Sequence, residues 1–260
     1  MGVYYTNLKE QRIGETAISN QGELMTIVDY TTANDLWVEF ADTGYRAHSE
    51  YAKFKKGSIR DPLYPSIYGV AYFGIGAYTS NHPAYRKWFD MLRRCYDPAT
   101  REQYRTYQDV RVCAEWLNYQ NFAAWYEDNY PAAHPEIEYE LDKDILQPGN
   151  KIYNPSACSF VPREINLILS INEAIRGNCP VGVSEIPNRP GKYAARLVDN
   201  YGMTGGTYLL CKTCDSKEEA FELYKEAKRN LIRYQADKFK DVITPAVHEA
   251  LLRWEPNFDF

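Results

Sequence analysis

Apolar and polar positions alternate along residues 24–40, where Leu24-Met25-Thr26-Ile27-Val28 and Leu36-Trp37-Val38-Glu39-Phe40 form β-rich runs separated by the turn-prone Thr31-Thr32-Ala33-Asn34-Asp35. This pattern predicts short strands and a small β-rich domain over residues 1–80. Gly57, Pro62, Pro65, Gly69, Gly74 and Gly76 then punctuate a passage that cannot be a long helix, read as the end of that domain and a connector. From Pro83 the period changes. Tyr85, Trp88, Met91, Leu92 and Cys95 recur at helical spacing with arginines on the other side, which predicts an amphipathic helix ended by Asp97-Pro98. A second helix is expected over Ala114 to Glu127, its aromatic stripe of Trp116, Phe122, Trp125 and Tyr126 read as core packing.

The C-terminal third begins near Cys179-Pro180-Val181-Gly182-Val183. Strands fit Lys192 to Val198 and Thr207 to Cys211, with turns at Asn188-Arg189-Pro190-Gly191 and around Gly202 to Gly206. Ser216-Lys217-Glu218-Glu219 has capping-box spacing and opens a long helix running toward Phe239. Its charges, Glu218, Glu219, Glu222, Lys225, Glu226, Lys228 and Arg229, read as a solvated face. The expected class is α+β: a small β-domain, a central core at residues 81–178 with flanking helices, and a three-stranded sheet plus helix at residues 179–260.

Composition restricts what such a chain can do. The net charge of −5 argues against a molecule-wide nucleic-acid surface, so any DNA footprint is local. Between Tyr85 and Arg111 the basic residues Arg86, Lys87, Arg93, Arg94, Arg101, Arg105 and Arg111 outnumber Asp90, Asp97, Glu102 and Asp109 by three. Six cysteines, no signal-like run after Met1 and no apolar stretch near the ~20 residues of a membrane span lead us to expect a soluble, reducing setting without disulfides. Cys211 and Cys214 have metal-knuckle spacing but no second pair and no nearby histidine, so zinc is not expected. Cys95, Cys113 and Cys158 read as small buried hydrophobes.

The segment from Leu141 to Asn166 carries the candidate chemistry, with Asp142-Lys143-Asp144, Asn154 and Asn166 at its key positions. Together with Trp88, Met91-Leu92-Arg93-Arg94-Cys95-Tyr96 and Val112-Cys113-Ala114-Glu115-Trp116, it resembles the phage HNH homing-endonuclease-like proteins that carry an appended Apetala/ERF-type DNA-binding domain. Residues 84–169 carry the nuclease-like part; Gly182-Val183, Gly191-Lys192-Tyr193-Ala194-Ala195-Arg196 and Glu218-Glu219-Ala220 resemble the appended domain.

The resemblance implies a ββα core in which a strand delivers an Asp-His pair, a loop an asparagine and a helix a final ligand to one divalent cation. It places Asp142 on the metal-binding aspartate, Lys143 on the catalytic histidine, Asn154 in the loop slot and Asn166 in the last ligand slot, with Asp144 a further oxygen donor for Mg2+ or Mn2+. A lysine's ordinary pKa of about 10.4 keeps it cationic at neutral pH, so Lys143 makes a poor general base and could instead hold a phosphate. His134, eight residues before Asp142, is an alternative base.

In the appended domain a sheet enters the major groove, which makes Arg189, Lys192, Tyr193 and Arg196 the expected DNA contacts, supported by Arg93 and Arg94 in the basic segment. The implied function is a phage protein that binds double-stranded DNA in the cytoplasm of an infected bacterial host, its cleavage weak or lost and no membrane involved. Two alternatives stand beside it: a repurposed nuclease scaffold that binds a host protein or a small molecule, and an active metal-dependent nicking endonuclease.

Overall fold

The alternating residues 24–40 form the centre of a four-stranded antiparallel meander, β1 (Thr16–Ile18), β2 (Leu24–Thr32), β3 (Asp35–Phe40) and β4 (Arg46–Ser49), in a computed structural model that describes residues 8–169, 179–200 and 203–255. It is preceded by a short helix α1 (Leu8–Arg12) and followed by α2 (Tyr51–Lys55). Met25, Ile27, Leu36, Val38 and Phe40 point to one face and close over Phe54 of α2. A bulge between Ile27 and Asp29 resets the alternation, so that Tyr30 rather than Asp29 turns inward.

The helix expected from Pro83 is α3 (Pro83–Tyr96), capped by His82, whose Nδ1 accepts the Ala84 N–H. Asp97 ends it and in the same step caps α4 (Pro98–Gln103) by accepting the Thr100 N–H at 2.8 Å. Strand β5 (Arg111–Val112) leads to a 3-10 turn at Ala114–Leu117 and then α5 (Tyr119–Asn129), so the second expected helix is divided at Asn118. Trp88, Trp116, Tyr119 and Phe122 are fully buried, and the Trp88 indole donates to the Trp116 carbonyl at 2.6 Å. The aromatic stripe is core.

Next along the chain come β6 (Tyr139–Asp142), β7 (Ile152–Tyr153), β8 (Ser159–Pro162) and α6 (Arg163–Leu169). Two compact units result: residues 1–128 with 152–154, and residues 129–151 with 155–260. In the first, β7 pairs in parallel with β5. In the second, β6 and β8 form an antiparallel pair that runs straight into α6, a ββα order.

The remainder of the second unit is β9 (Val183–Glu185), β10 (Tyr193–Val198), β11 (Tyr208–Cys214), α7 (Lys217–Lys238) and α8 (Pro245–Leu252), with the strands in antiparallel order β11-β10-β9. The turn expected around Gly202 lies partly outside the described residues. Ser216 caps α7 by accepting the Glu219 N–H at 3.1 Å, while the Glu219 carboxylate reaches the Asp215 N–H, one residue earlier than a regular capping box.

Helix α7 serves two cores. Its first half sets Ala220, Phe221 and Tyr224 on Val183, Ala195, Leu210 and Cys214 of the sheet. Its second half sets Leu231, Ile232 and Ala236 on Ile165 and Ile168 of α6 and Val247 and Leu251 of α8. One expectation fails between them: Lys228, read as part of a solvated face, is 8% exposed, because the inward stripe of α7 continues from Tyr224 through Lys228 to Leu231.

Candidate functional site

Strand β6 alternates buried Tyr139 and Leu141 with half-buried Glu140 and Asp142, so the two carboxylates share one side of the strand. Asn166, on the first turn of α6, donates its amide to the Glu140 Oε2, and Arg163 ion-pairs with both Glu138 (2.8 Å) and Glu140 (3.7 Å). Helix α6 thus brings Asn166 to the carboxylate two residues before Asp142. Glu140 was missed in the sequence, although stepping back by the strand period of two from Asp142 reaches it.

Asp142 closes the loop that follows. Its Oδ1 accepts the N–H groups of Asp144 and Ile145, each at 2.8 Å, the usual role of an aspartate at a strand end. Burial pushes the Asp142 carboxyl up, and these two backbone bonds pull it back down.

Lys143 directly follows β6 and is 7% exposed. Its Nζ donates to the Asn150 carbonyl at 2.9 Å and to Asp144 Oδ2 at 2.6 Å, while the Asn150 amide donates back to the Lys143 carbonyl at 2.9 Å. The lysine therefore pins the loop 143–150 from inside. Replacing it by methionine leaves the Asn150 carbonyl without this donor, and we expect a loss of about 2 kcal/mol in urea unfolding; a loss under about 0.5 kcal/mol would contradict the pinning role.

The other expected site residues fall as follows. Asn154 belongs to the first unit, where its Nδ2 donates to the Ile152 carbonyl at 3.1 Å. His134 pairs with Glu136 at 3.3 Å. Arg93 pairs with Asp90 at 3.1 Å, and Arg94 bonds the buried Tyr153 phenol, whose pKa burial pushes up. Among the described residues no group of three His, Cys, Asp or Glu side chains gathers as a metal site. Cys211 and Cys214 lie three apart on β11, Cys214 buried under α7 and Cys211 exposed, so they do not face one another.

On the sheet, Arg189 and Arg196 are exposed, with no acidic partner among the described residues, and Lys192 is exposed and paired with Asp215. Tyr193 has the opposite parity, shared with Ala195 and Leu197, and packs on the α7 side. Among the described residues no helix is long and apolar enough to cross a membrane. Searches against protein-family models, curated proteins and solved structures return no match for this chain.

Proposed function

We propose that this chain binds double-stranded DNA and is related to phage HNH endonucleases, with cleavage weak or lost. The observation that carries the reading is the state of Lys143: in the slot where the resemblance puts the catalytic histidine stands a buried ammonium held by Asn150 and Asp144. An ammonium so held has no lone pair to take a proton from water. Its contacts with the Asn150 carbonyl and the Asp144 carboxylate favour a structural role over phosphate binding.

The ββα order of β6, β8 and α6, with Asp142 at the strand end and Asn166 on the helix, supports the relationship. A magnesium or manganese ion suits the oxygen donors there in kind: Asp142 Oδ2, the Glu140 carboxylate and the Asn166 amide oxygen would hold it. When bound, such an ion supplies charge neutralisation for a phosphate. The chain itself contributes the positioning of those oxygens, Asp142 through its backbone bonds and Glu140 through Arg163 and Asn166.

DNA contact rests on the exposed Arg189, Lys192 and Arg196, since a sheet face can enter the major groove. Gel shifts on duplex DNA in a salt series test it. Three phosphate contacts give a log–log salt slope of about −3, and Arg196→Glu is expected to weaken binding by about tenfold at low salt. Absence of measurable affinity at low salt would remove the proposal. Incubation with plasmid and Mg2+ or Mn2+ is expected to leave it intact; metal-dependent nicking that disappears in Asp142→Ala would overturn the loss of cleavage.

A further inference from the structure

Lys228 sits at the middle of α7, between the patch that covers the sheet and the patch that packs on α6 and α8. Where those two packings meet, a pocket of about 290 Å³ opens inside the second unit. Leu167 and Ile168 of α6, Leu197 and Val198 of β10 and Leu231 of α7 give it apolar walls. Lys228 lines it too, 8% exposed and without a hydrogen-bond or ion-pair partner among the described residues. Among the described residues Arg196 is the other charged residue of the lining, and none of them is a carboxylate.

A buried cation without a counter-charge is costly to keep in a folded protein. On the same helix Lys225 pairs with Glu222 and Arg229 with Glu255. The cost at Lys228 falls once an anion enters beside it, and the aliphatic walls reward an apolar body attached to that anion. We propose that this pocket is a binding site for a small organic carboxylate with an aliphatic body, its carboxylate paired with Lys228 and its chain laid against Leu167, Ile168, Leu197 and Leu231. Depression of the Lys228 pKa to about 8 by burial agrees with a site that lacks its counter-ion.

This inference is argued from Lys228 and the apolar walls and not from the DNA-binding reading, although Arg196 both lines the pocket and is one of the proposed DNA contacts. Calorimetric titration of the full chain at pH 7 tests it with three probes: sodium octanoate, 1-octanol as the neutral body, and sodium phosphate as the bare anion. The expected result is saturable one-to-one binding of octanoate, with 1-octanol and phosphate each at least tenfold weaker. Lys228→Met is expected to lose at least tenfold in octanoate affinity and to keep that for 1-octanol, with circular dichroism confirming that the variant is folded. Leu167→Asp, at an exposed wall position, is expected to weaken octanoate without altering the fold. No saturable octanoate binding, phosphate binding as tightly as octanoate, or unchanged octanoate affinity in Lys228→Met would each overturn the proposal.

Discussion

Lys228→Met is expected to make the second unit more stable at pH 7, by about 3 kcal/mol. Burial lowers the Lys228 pKa from an ordinary 10.5 to about 8, and a shift of that size corresponds to about 3 kcal/mol against the charged form. At pH 7 the lysine is charged in both the folded and unfolded chain, so the folded state carries the full penalty. Between pH 8 and 10.5 the unfolded chain holds the proton more often than the folded one, and wild-type stability therefore rises with pH across that window. Methionine fills similar space without the charge and removes the slope. Paired urea unfolding curves at pH 7, 9 and 10.5 check this: the advantage of the variant is expected to shrink steadily and to be nearly gone at the highest pH. A variant less stable at pH 7, or an advantage independent of pH, would show that Lys228 keeps its charge solvated.

Gly182→Ala is expected to destabilise the same unit by about 4 kcal/mol. Gly182 has a φ of +74°, which disfavours any side chain, and a Cβ there would stand 2.0 Å from the Tyr224 ring. Backbone strain contributes about 1–2 kcal/mol and the forced displacement of the ring about 1–3 kcal/mol more. Because the Gly182 carbonyl accepts the Arg196 N–H at 2.9 Å, the shift reaches the strand that presents Arg196. Hydrogen exchange of β10 and α7 amides would locate the loss. In a Tyr224→Ala background the ring that the added methyl meets is gone, so the cost of Gly182→Ala is expected to drop to about 1–2 kcal/mol; an undiminished cost would place the strain elsewhere.

Much of the fold is legible in local pattern, and the exceptions are instructive. The strands β2 and β3, the helix α3 and the cap at Ser216 follow from alternation, helical spacing and side-chain capping, all of which act over a few residues. Asp97-Pro98 signals a helix end, and it serves equally as the start of α4, since an aspartate followed by proline is also a good N-cap and N1 pair. The interruption at Asn118 had no such signal: the apolar stripe runs on through Trp116 to Tyr126, and the change of helix type sits beneath it.

At the candidate site, Asp142 and Asn166 were visible as residues, but their partners were not. Glu140 joins Asn166 because the β6–β8 pairing delivers α6 back over one side of β6, a contact across 26 residues. Lys143 reads as a cation available to a phosphate, yet it is enclosed because Asn150 folds back over it.

By itself, then, the sequence determined the class of the fold, the positions of its main strands and helices, and which residues could bear charge, because those properties reside in neighbouring residues and their chemistry. Only the tertiary structure decided which charges stay in water. Lys143 and Lys228 lie in polar stretches that look solvated, and each is buried by elements distant in sequence: a loop closed by Asn150 over the one, the packing of α6 and β10 around the other. Burial is a property of what surrounds a side chain, and it is burial that turns one lysine into a structural pin and the other into an amine without a counter-ion.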